Sequence, residues 1–200
     1  MNSAETPVPG APAQDETDQI LHLARLVQSG AGAGGGSEPP LTPAQWTALR
    51  YFARANRFSR TPSAFSEFNA TTRGTASQVV KSLIGMGLLQ RRANESDGRS
   101  ALIEITETGR ARLRDDPTAA LGAAIAALEP GLRAALSEGI SALTSSLARQ
   151  KGTPVFGSCR DCRHCDLEAQ AAWCHCTHSR LDAVEMGALC IDFAPAARRA

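Results

Sequence analysis

Residues 61–109 read TPSAFSEFNATTRGTASQVVKSLIGMGLLQRRANESDGRSALIEITETG, and most signals that specify the architecture lie in this segment. A threonine hydroxyl can cap a helix N-terminus and proline fits the first turn, so Thr61-Pro62 predicts the start of a short helix. Thr71-Thr72 predicts the start of another helix, which runs to about Met86. Upstream, Thr42-Pro43 repeats the same signal. We therefore expect three consecutive helices from Thr42 onward.

A polar turn separates two short apolar runs after the third helix. The turn is Asn94 to Ser100, and its Asp97-Gly98 pair is a strong hairpin signal. Leu88 to Arg92 and Leu102 to Thr106 are the two predicted strands. Three helices followed by a hairpin are typical of a winged helix-turn-helix, so we expect a mainly α fold with a small β-hairpin wing.

The third helix has two faces of different chemistry. At 100° per residue its apolar side chains gather on one side, namely Ala76, Val79, Val80, Leu83 and Ile84. The opposite side is small, polar and basic, as an ordinary surface helix would also be. The short helix before it and the basic hairpin after it favour a helix that reads DNA. Gln and Thr can bond base edges and Lys can reach a phosphate, so the candidate DNA contacts are Arg73, Thr75, Ser77, Gln78 and Lys81.

Charge is unevenly distributed along the 200 residues, although the formal net charge is only +1. Leu41 to Arg114 contains twelve Lys and Arg against five Asp and Glu. Such a basic segment is expected of a nucleic-acid-binding module, although a basic stretch alone is often a solvated face. No apolar run approaches the ~20 residues that a membrane span requires, so no membrane partner is expected.

The segments LTPAQWTALRYFA, TPSAFSEFNATTRGTASQVVKSLIGMGLLQRR and ESDGRSALIEITETGRARL together resemble the MarR family of dimeric winged-helix transcription regulators. The similarity covers roughly Thr42 to Leu113. In the family an Asp-x-Arg wing precedes an apolar strand, a Thr and a Gly, and the residues at those places here are Asp97, Arg99, Thr106 and Gly109. The resemblance implies that Arg99 enters the minor groove, that Asp97 orients it, and that the third helix enters the major groove. It also implies a homodimer that reads a pseudopalindromic operator in double-stranded DNA.

Helices on either side of this domain carry apolar side chains with no evident cover. Asp15 to about Gln28 has helical apolar spacing, and a second stripe comprises Leu132, Leu136, Ile140, Leu143 and Leu147. Such a stripe more often packs within its own domain, but these two lie outside the basic domain, which favours a helical dimer interface. The predicted divisions are a disordered N-terminus at 1–14, a helix and Gly-rich linker at 15–40, the winged helix at 41–114, a dimerisation region at 115–151 and a Cys-rich domain at 152–200.

All six cysteines lie in the last quarter of the chain. Short CxxC and CxC steps let neighbouring sulfurs reach one metal centre from a tight loop. No secretory signal is visible at the N-terminus, so we expect a reducing cytoplasm, where clustered cysteines bind metal or act in redox chemistry more often than they form disulfides. His164, His175 and His178 are expected to be bystanders. The candidate metal ligands are Cys159, Cys162, Cys174, Cys176 and Cys190, and the spacing leaves open which of Cys165, Cys174 and Cys176 is surplus.

Four thiolates suit either a [4Fe–4S] cluster or a zinc ion. With Trp173 before the third position and Asp192-Phe193 after the last, the segment looks like the small high-potential-iron-protein-like cluster domains that accompany some glycyl-radical enzymes. Zinc has no redox chemistry, whereas a sensor needs a ligand whose state changes, so the cluster is favoured.

The expected function is a DNA-binding regulator, not an enzyme, whose operator binding responds to the cluster as a sensor of redox state, oxygen or iron. A change at the cluster would alter the packing of Ala119 to Gln150 and so the separation of the two reading helices. The alternative is a repressor that responds to a small molecule and holds a structural four-cysteine zinc site. A thiol–disulfide enzyme is disfavoured because no CxxC lies in a βαβ context.

Overall fold

The computed structural model of the protein describes residues 14–29, 39–93, 101–167 and 171–196. Three features expected from the sequence lie outside these ranges: the disordered N-terminus up to residue 13, most of the Gly-rich linker, and the tip of the wing with Asp97 and Arg99. Among the helices of the described ranges, none is long and apolar enough to cross a lipid bilayer.

The described ranges are mainly helical, with short antiparallel strands. The helices are α1 (Gln14–Ser29), α2 (Pro43–Arg54), α3 (Pro62–Phe68), α4 (Arg73–Gly85), α5 (Glu107–Arg112), α6 (Ala119–Ala126) and α7 (Pro130–Lys151). The strands are β1 (Leu89–Ala93), β2 (Ala101–Ile105), β3 (Gly157–Ser158), β4 (Cys165–Leu167), β5 (Ala172–Cys174), β6 (Ser179–Leu181) and β7 (Leu189–Cys190). They form a β1-β2 hairpin, a β3-β7 pair and a three-stranded β4-β5-β6 sheet.

Threonine caps begin the three helices of the winged helix, as the sequence predicts. The hydroxyls of Thr42, Thr61 and Thr72 accept hydrogen bonds from the backbone N–H of the third residue of α2, α3 and α4. At α2 the Gln45 side chain accepts a bond from the Thr42 N–H in return, which completes a capping box. Each cap satisfies a backbone donor that the helix itself leaves without a partner.

One apolar core holds α2, α3, α4 and the hairpin together. Its centre is an aromatic group in which the ring centroids of Tyr51 lie 5.1 Å from Phe52 and 5.4 Å from Phe65. All three side chains are fully buried, together with Leu49, Val80, Leu83, Leu89 and Ile103. Burying each large apolar side chain is worth roughly 1.5–3 kcal/mol, so this core fixes how the third helix is presented.

The wing strands are each displaced by one residue from their predicted bounds. β1 pairs with β2 from Leu89↔Ile105 to Ala93↔Ala101. Thr106 leaves the strand because its hydroxyl accepts a bond from the Gly109 N–H and donates to the Gly87 carbonyl, so it caps α5 instead. Gly87, with φ of 71°, makes the turn that a residue with a side chain would resist.

The sequence predicts a helix from Glu107 to Arg114 and, at Asp116-Pro117, a cap-plus-proline start of the next helix, and both bounds differ in the structure. The helix expected from Glu107 to Arg114 ends at Arg112 and continues as a 3-10 turn, Leu113–Asp115. Asp116 does not cap α6, because its carboxylate accepts bonds from the Arg50 side chain and from Thr118. α6 consequently begins at Ala119, and its N-cap Thr118 makes no side-chain bond to the helix.

Helices α1 and α7 leave their apolar faces exposed in the single chain. Four side chains of α1 are about half exposed: Ile20, Leu21, Leu23 and Leu26. The predicted stripe on α7 is also exposed, at Leu132, Leu136, Ile140, Leu143 and Leu147. The apolar area of both helices therefore remains available to a partner.

The Cys-rich tail packs directly on the winged helix. The aromatic ring of Phe156 lies 6.1 Å from that of Tyr51 and 5.1 Å from that of Phe68, measured between centroids. Leu189 and Ile191 also contact the core of the winged helix, while Phe58 contacts the core of the tail. The two units thus share an interface, which the sequence did not predict.

Candidate DNA interface and cysteine cluster

Helix α4 presents the polar face that the sequence predicts. Ala76, Val80 and Leu83 are buried against the core. Of the predicted DNA contacts, Arg73, Thr75, Gln78 and Lys81 are exposed and Ser77 is half-buried. The predicted wing contacts, Asp97 and Arg99, lie outside the described residues.

Side-chain bonds fix α4 at both ends of its polar face. At the N-terminus the hydroxyls of Thr72 and Thr75 lie 2.9 Å apart. Further along, the Gln45 amide of α2 donates to Ser82 Oγ at 2.9 Å. A Cβ placed on Gly74 would meet only Thr72 Oγ1, at 3.8 Å, so the chain itself leaves space there. The exposed face is therefore rigidly supported and open near its N-terminus.

Basic side chains continue from α4 onto the first wing strand. Arg91 and Arg92 on β1 are exposed, like Arg73 and Lys81 on α4. Arg92 lies 3.4 Å from Glu104 of β2, a surface pair of little energetic consequence. Helix and wing together offer positive charge on the surfaces that a nucleic acid would contact.

The tail brings its cysteines together in its own small core. Four of the predicted ligands, Cys159, Cys162, Cys174 and Cys190, are buried. Cys165 is half-buried and lies opposite Cys174 in the β4-β5 register. Cys176, the remaining predicted ligand, is exposed in the turn after β5.

Hydrogen bonds join several of the sulfurs to each other and to N–H donors. Cys159 lies beside Cys190 and Cys165, close enough for these thiols to shift one another's pKa. The Ala194 N–H donates to Cys162 Sγ at 3.5 Å. The Asn56 side chain and the backbone of Asp192 lie close enough to the Cys190 sulfur to lower its pKa. Such donors stabilise a thiolate, the form of cysteine that binds metals.

Hydrogen bonding between Cys159 and Cys190 shifts the pKa values of the two thiols in opposite directions. It is the largest cause that raises the pKa of Cys159, where burial adds to it, and the largest cause that lowers the pKa of Cys190. The Asn56 bond lowers the pKa of Cys190 further. Burial is the first cause that raises the pKa of Cys165 and of Cys176. Cys190 is consequently the sulfur of this pair that carries negative charge most readily.

Within the described ranges, no three or more His, Cys, Asp or Glu side chains are arranged as a site that could hold a metal ion. The cysteines converge as a hydrogen-bonded group of thiols instead. His175 lies on the surface, where its Nε2 is 2.6 Å from Asp166 Oδ2. The buried cysteine side chains lie in a largely apolar core, which also contains Ala172, Leu181 and Met186.

The loop between α2 and α3 is the part of the site that sequence reasoning missed. Asn56 is 1% exposed, although it is polar, and its backbone N–H donates to the Leu189 carbonyl at 2.9 Å. The Arg57 guanidinium bonds Glu185 and the Arg180 carbonyl on the tail. In the sequence an Asn between two helices indicates only a turn. The packing of this loop on the strand that carries Cys190, 134 positions after Asn56, could therefore not be predicted.

Comparisons with known proteins match one part of the chain to a family model. Residues 40–100 match the family model described as MarR family. Comparison with curated proteins gave no match.

Solved structures share the fold along most of their own length. Streptococcus pneumoniae FabT in complex with DNA is 20% identical with a TM-score of 0.52, and the match covers 68% of this chain and 96% of that one. A MarR transcriptional regulator from Methanosarcina mazei Go1 is 16% identical with a TM-score of 0.52, over 68% and 98%. CouR from Rhodococcus jostii RHA1, bound to p-coumaroyl-CoA, is 21% identical with a TM-score of 0.51, over 66% and 94%. The resemblance predicted from the sequence is supported for residues 40–100, which match the MarR family model, and the solved structures show that the chain shares their winged-helix fold.

Proposed function

We propose that this protein is a homodimeric transcription regulator, not an enzyme, that binds a pseudopalindromic site in double-stranded DNA. We further propose that its Cys-rich tail holds a [4Fe–4S] cluster that governs this binding. The observation that carries the first statement is the exposed polar face of α4 beside a basic wing, within a MarR-family domain. The buried group of thiols supports the second statement.

In this proposal α4 enters the major groove. Gln78 and Thr75 bond base edges, while Arg73 and Lys81 bind phosphates, since amide and hydroxyl groups read bases and cations neutralise the backbone. Gly74 lets the sugar-phosphate backbone come close to the helix N-terminus, where free N–H groups attract phosphate. Arg99, oriented by Asp97, reads the minor groove, as the family resemblance implies.

Dimerisation follows from the uncovered apolar faces of α1 and α7. Their exposed side chains form a larger apolar surface than a monomer ordinarily leaves in water, and a second copy of the chain would cover it. Two-fold symmetry then places two copies of α4 about one helical turn of DNA apart.

The support for a cluster of iron and sulfur is the chemistry of the donors, which are thiols, and not their arrangement, since the described residues form no metal site. Cys159, Cys162, Cys174 and Cys190 are the buried thiols and would be the ligands, with Cys165 beside them and Cys176 surplus. N–H donors to Cys162 and Cys190 would stabilise the thiolates. When bound, the cluster would supply one-electron redox chemistry and sensitivity to oxygen or iron supply. A reducing cytoplasm would keep the free thiols available for it.

A structural zinc site with small-molecule control is the second candidate. It is favoured by a groove of about 530 Å³ between α1, α2 and α6, lined by Leu23, Val27, Trp46 and Leu121 among others. An apolar ligand could bind there, as pockets of this size commonly take small molecules. Four cysteines on one zinc ion would then stabilise a tail too small to have a large core.

Anaerobic purification followed by an absorption spectrum and assays of iron, sulfide and zinc separates the two candidates. Brown protein with iron and sulfide supports the cluster, whereas colourless protein with one zinc per chain supports the alternative. DNA sites selected from a random pool would then be titrated with cluster-loaded and cluster-free protein. Equal affinities would refute control by the cluster without refuting DNA binding.

A further inference from the structure

Cys165 and Cys174 lie directly opposite each other on neighbouring strands of the tail. β4 and β5 are antiparallel, and their register pairs Cys165 with Cys174 at one end of the hairpin. Both side chains are on the face of the sheet that forms the core of the tail, because Cys174 is buried in that core and the half-buried Cys165 packs against it. The two thiols therefore face the same space from adjacent strands.

The hydrogen bonds around the hairpin show which kind of cross-strand pair this is. The His175 N–H donates to the His164 carbonyl at 2.8 Å, so the pair next to the cysteines is a hydrogen-bonded one. The Cys165 N–H donates to the Cys162 carbonyl at 3.2 Å, within its own turn. Hydrogen-bonded and non-hydrogen-bonded pairs alternate along an antiparallel ladder, so Cys165 and Cys174 form a non-hydrogen-bonded pair.

Non-hydrogen-bonded pairs bring opposite side chains closest together. Their Cα atoms lie about 4.5 Å apart, and their Cβ atoms lie near the lower end of about 4.5–5.5 Å. A disulfide spans Cα separations of about 4.4–6.8 Å and Cβ separations of about 3.5–4.5 Å. The two cysteines are thus within reach of a bond after a small approach of the strands. A disulfide near the limit of this geometry is easier to reduce than a relaxed one.

Accessibility also distinguishes this pair from the other thiols of the core. Cys159 and Cys190 lie beside each other but are 3% and 5% exposed, so a small molecule in solution hardly reaches them. Cys159 also belongs to the 3-10 turn after β3, outside the register of the β3-β7 pair. Cys165 is half-buried, and its partner is held opposite by the ladder. Cys165 and Cys174 are therefore the pair best placed to react with a soluble oxidant.

We propose that Cys165 and Cys174 are a redox modification site, which forms a reversible cross-strand disulfide by exchange with a small disulfide such as oxidised glutathione. The Cys165 thiolate attacks one sulfur of the oxidant and releases one thiol. The Cys174 thiolate then attacks Cys165 Sγ in the mixed disulfide and releases the second thiol. The protein gives up two electrons and two protons, which end in two molecules of reduced thiol, and excess reduced thiol reverses both steps.

This inference goes beyond the proposed function and needs no cluster, because it concerns the thiols of the metal-free tail. The part of the chain that the structure describes forms no metal site, so its thiols are available for exchange. Oxidation would tie β4 to β5 and remove two of the six cysteines from any metal chemistry.

The test maps the disulfide in full-length protein that a chelator has freed of metal. The protein is equilibrated for a day with oxidised or reduced glutathione, since burial raises the pKa of Cys165 and slows its attack. Acid quenching and alkylation then block the free thiols. Trypsin with a protease that cuts after glutamate separates the two cysteines, because Glu168 lies between them.

In oxidised glutathione we expect most chains to yield peptide 164–168 linked to peptide 169–180, and in excess reduced glutathione we expect both peptides as alkylated thiols. Three results would overturn the proposal. They are no link at all, a lasting mixed disulfide of Cys165 with glutathione, and a link from Cys165 or Cys174 to another cysteine.

Cys176→Ser is the matched control, since Cys176 is exposed in the turn after β5 and shares the peptide 169–180 with Cys174. It should keep the wild-type amount of linked peptide, and its loss would make Cys176 the partner. Cys174→Ser should leave Cys165 as a mixed disulfide with glutathione. If Cys174→Ser fails to fold, the wild type and Cys176→Ser still decide the pairing. No iron or DNA enters the measurement, so its result is independent of the iron and sulfide assays that test the proposed cluster.

Discussion

Gly109→Ala should destabilise the winged helix by a predictable amount, because Gly109 lies where α5 crosses the start of β1. A Cβ at this position would lie 2.2 Å from the Leu88 carbonyl oxygen and 2.8 Å from a side-chain carbon of Ile105. The first of these is a backbone atom and cannot rotate away. α5 must therefore move away from the hairpin by roughly 1 Å to restore an ordinary contact distance.

That movement strains two bonds to the same carbonyl. The Thr106 N–H donates to Leu88 O at 3.1 Å, and the Thr106 hydroxyl shares its proton between Gly87 O, at 2.7 Å, and Leu88 O, at 3.1 Å. Losing them costs about 1 kcal/mol each, and overpacking a rigid contact costs about 1–3 kcal/mol. Alanine regains about 1 kcal/mol as a better helix former than glycine. The net loss is about 2–4 kcal/mol, which lowers Tm by about 4–16 °C for a chain of this size.

Thermal and urea unfolding of Gly109→Ala and wild type measure this effect. Gly85→Ala is the matched control, because a Cβ on Gly85 at the end of α4 meets nothing within 4 Å. Its Tm should stay unchanged or rise slightly. If Gly109→Ala unfolds within a degree or two of wild type, the contact between α5 and β1 is not as tight as described and the reasoning fails.

Three further outcomes follow from the same description. Lys81→Ala should weaken binding to all DNA sequences alike and reduce the salt slope by about one, whereas Gln78→Ala should relax preference at one base pair by about 1–3 kcal/mol; the reverse pattern would contradict the orientation of α4. Ile140→Asp, on the exposed stripe of α7, should give a monomer in analytical ultracentrifugation, and a persistent dimer would exclude α7 from the interface. Cys174→Ser should lose iron while the exposed Cys176→Ser keeps it, and iron-free Cys176→Ser would make Cys176 a ligand.

The helices of the winged helix could be predicted because their signals are local. A threonine cap bonds an N–H three residues away, so Thr42, Thr61 and Thr72 mark starts wherever the chain lies in space. The buried face of α4 follows from a period of 3.6 residues for the same reason. The predicted start of a helix was wrong where a residue distant in the sequence bonds the capping group. Arg50, for example, donates to the carboxylate of Asp116, which therefore does not cap α6.

In the tail, the spacing of the cysteines predicts that sulfurs can converge but not which of them do. Short steps such as Cys159 to Cys162 indicate sulfurs that can converge, because the chain between them is too short to separate them. Whether Cys174 or Cys176 joins them depends on strand direction: β5 turns Cys174 into the core and ends before Cys176. The sequence left that choice open, and the burial of Cys174 favours it as the ligand.

Local patterns predict the winged helix, the polar face of α4 and the clustering of the cysteines, since each depends on residues within a few positions of one another. The packing of the tail on the α2–α3 loop, where the Asn56 N–H donates to the Leu189 carbonyl, is seen only in the folded structure. Contacts between residues so far apart in the chain arise from the packing of whole elements. No local pattern encodes that packing, because its free energy comes from apolar surface shared by both units, such as that of Tyr51 and Phe156.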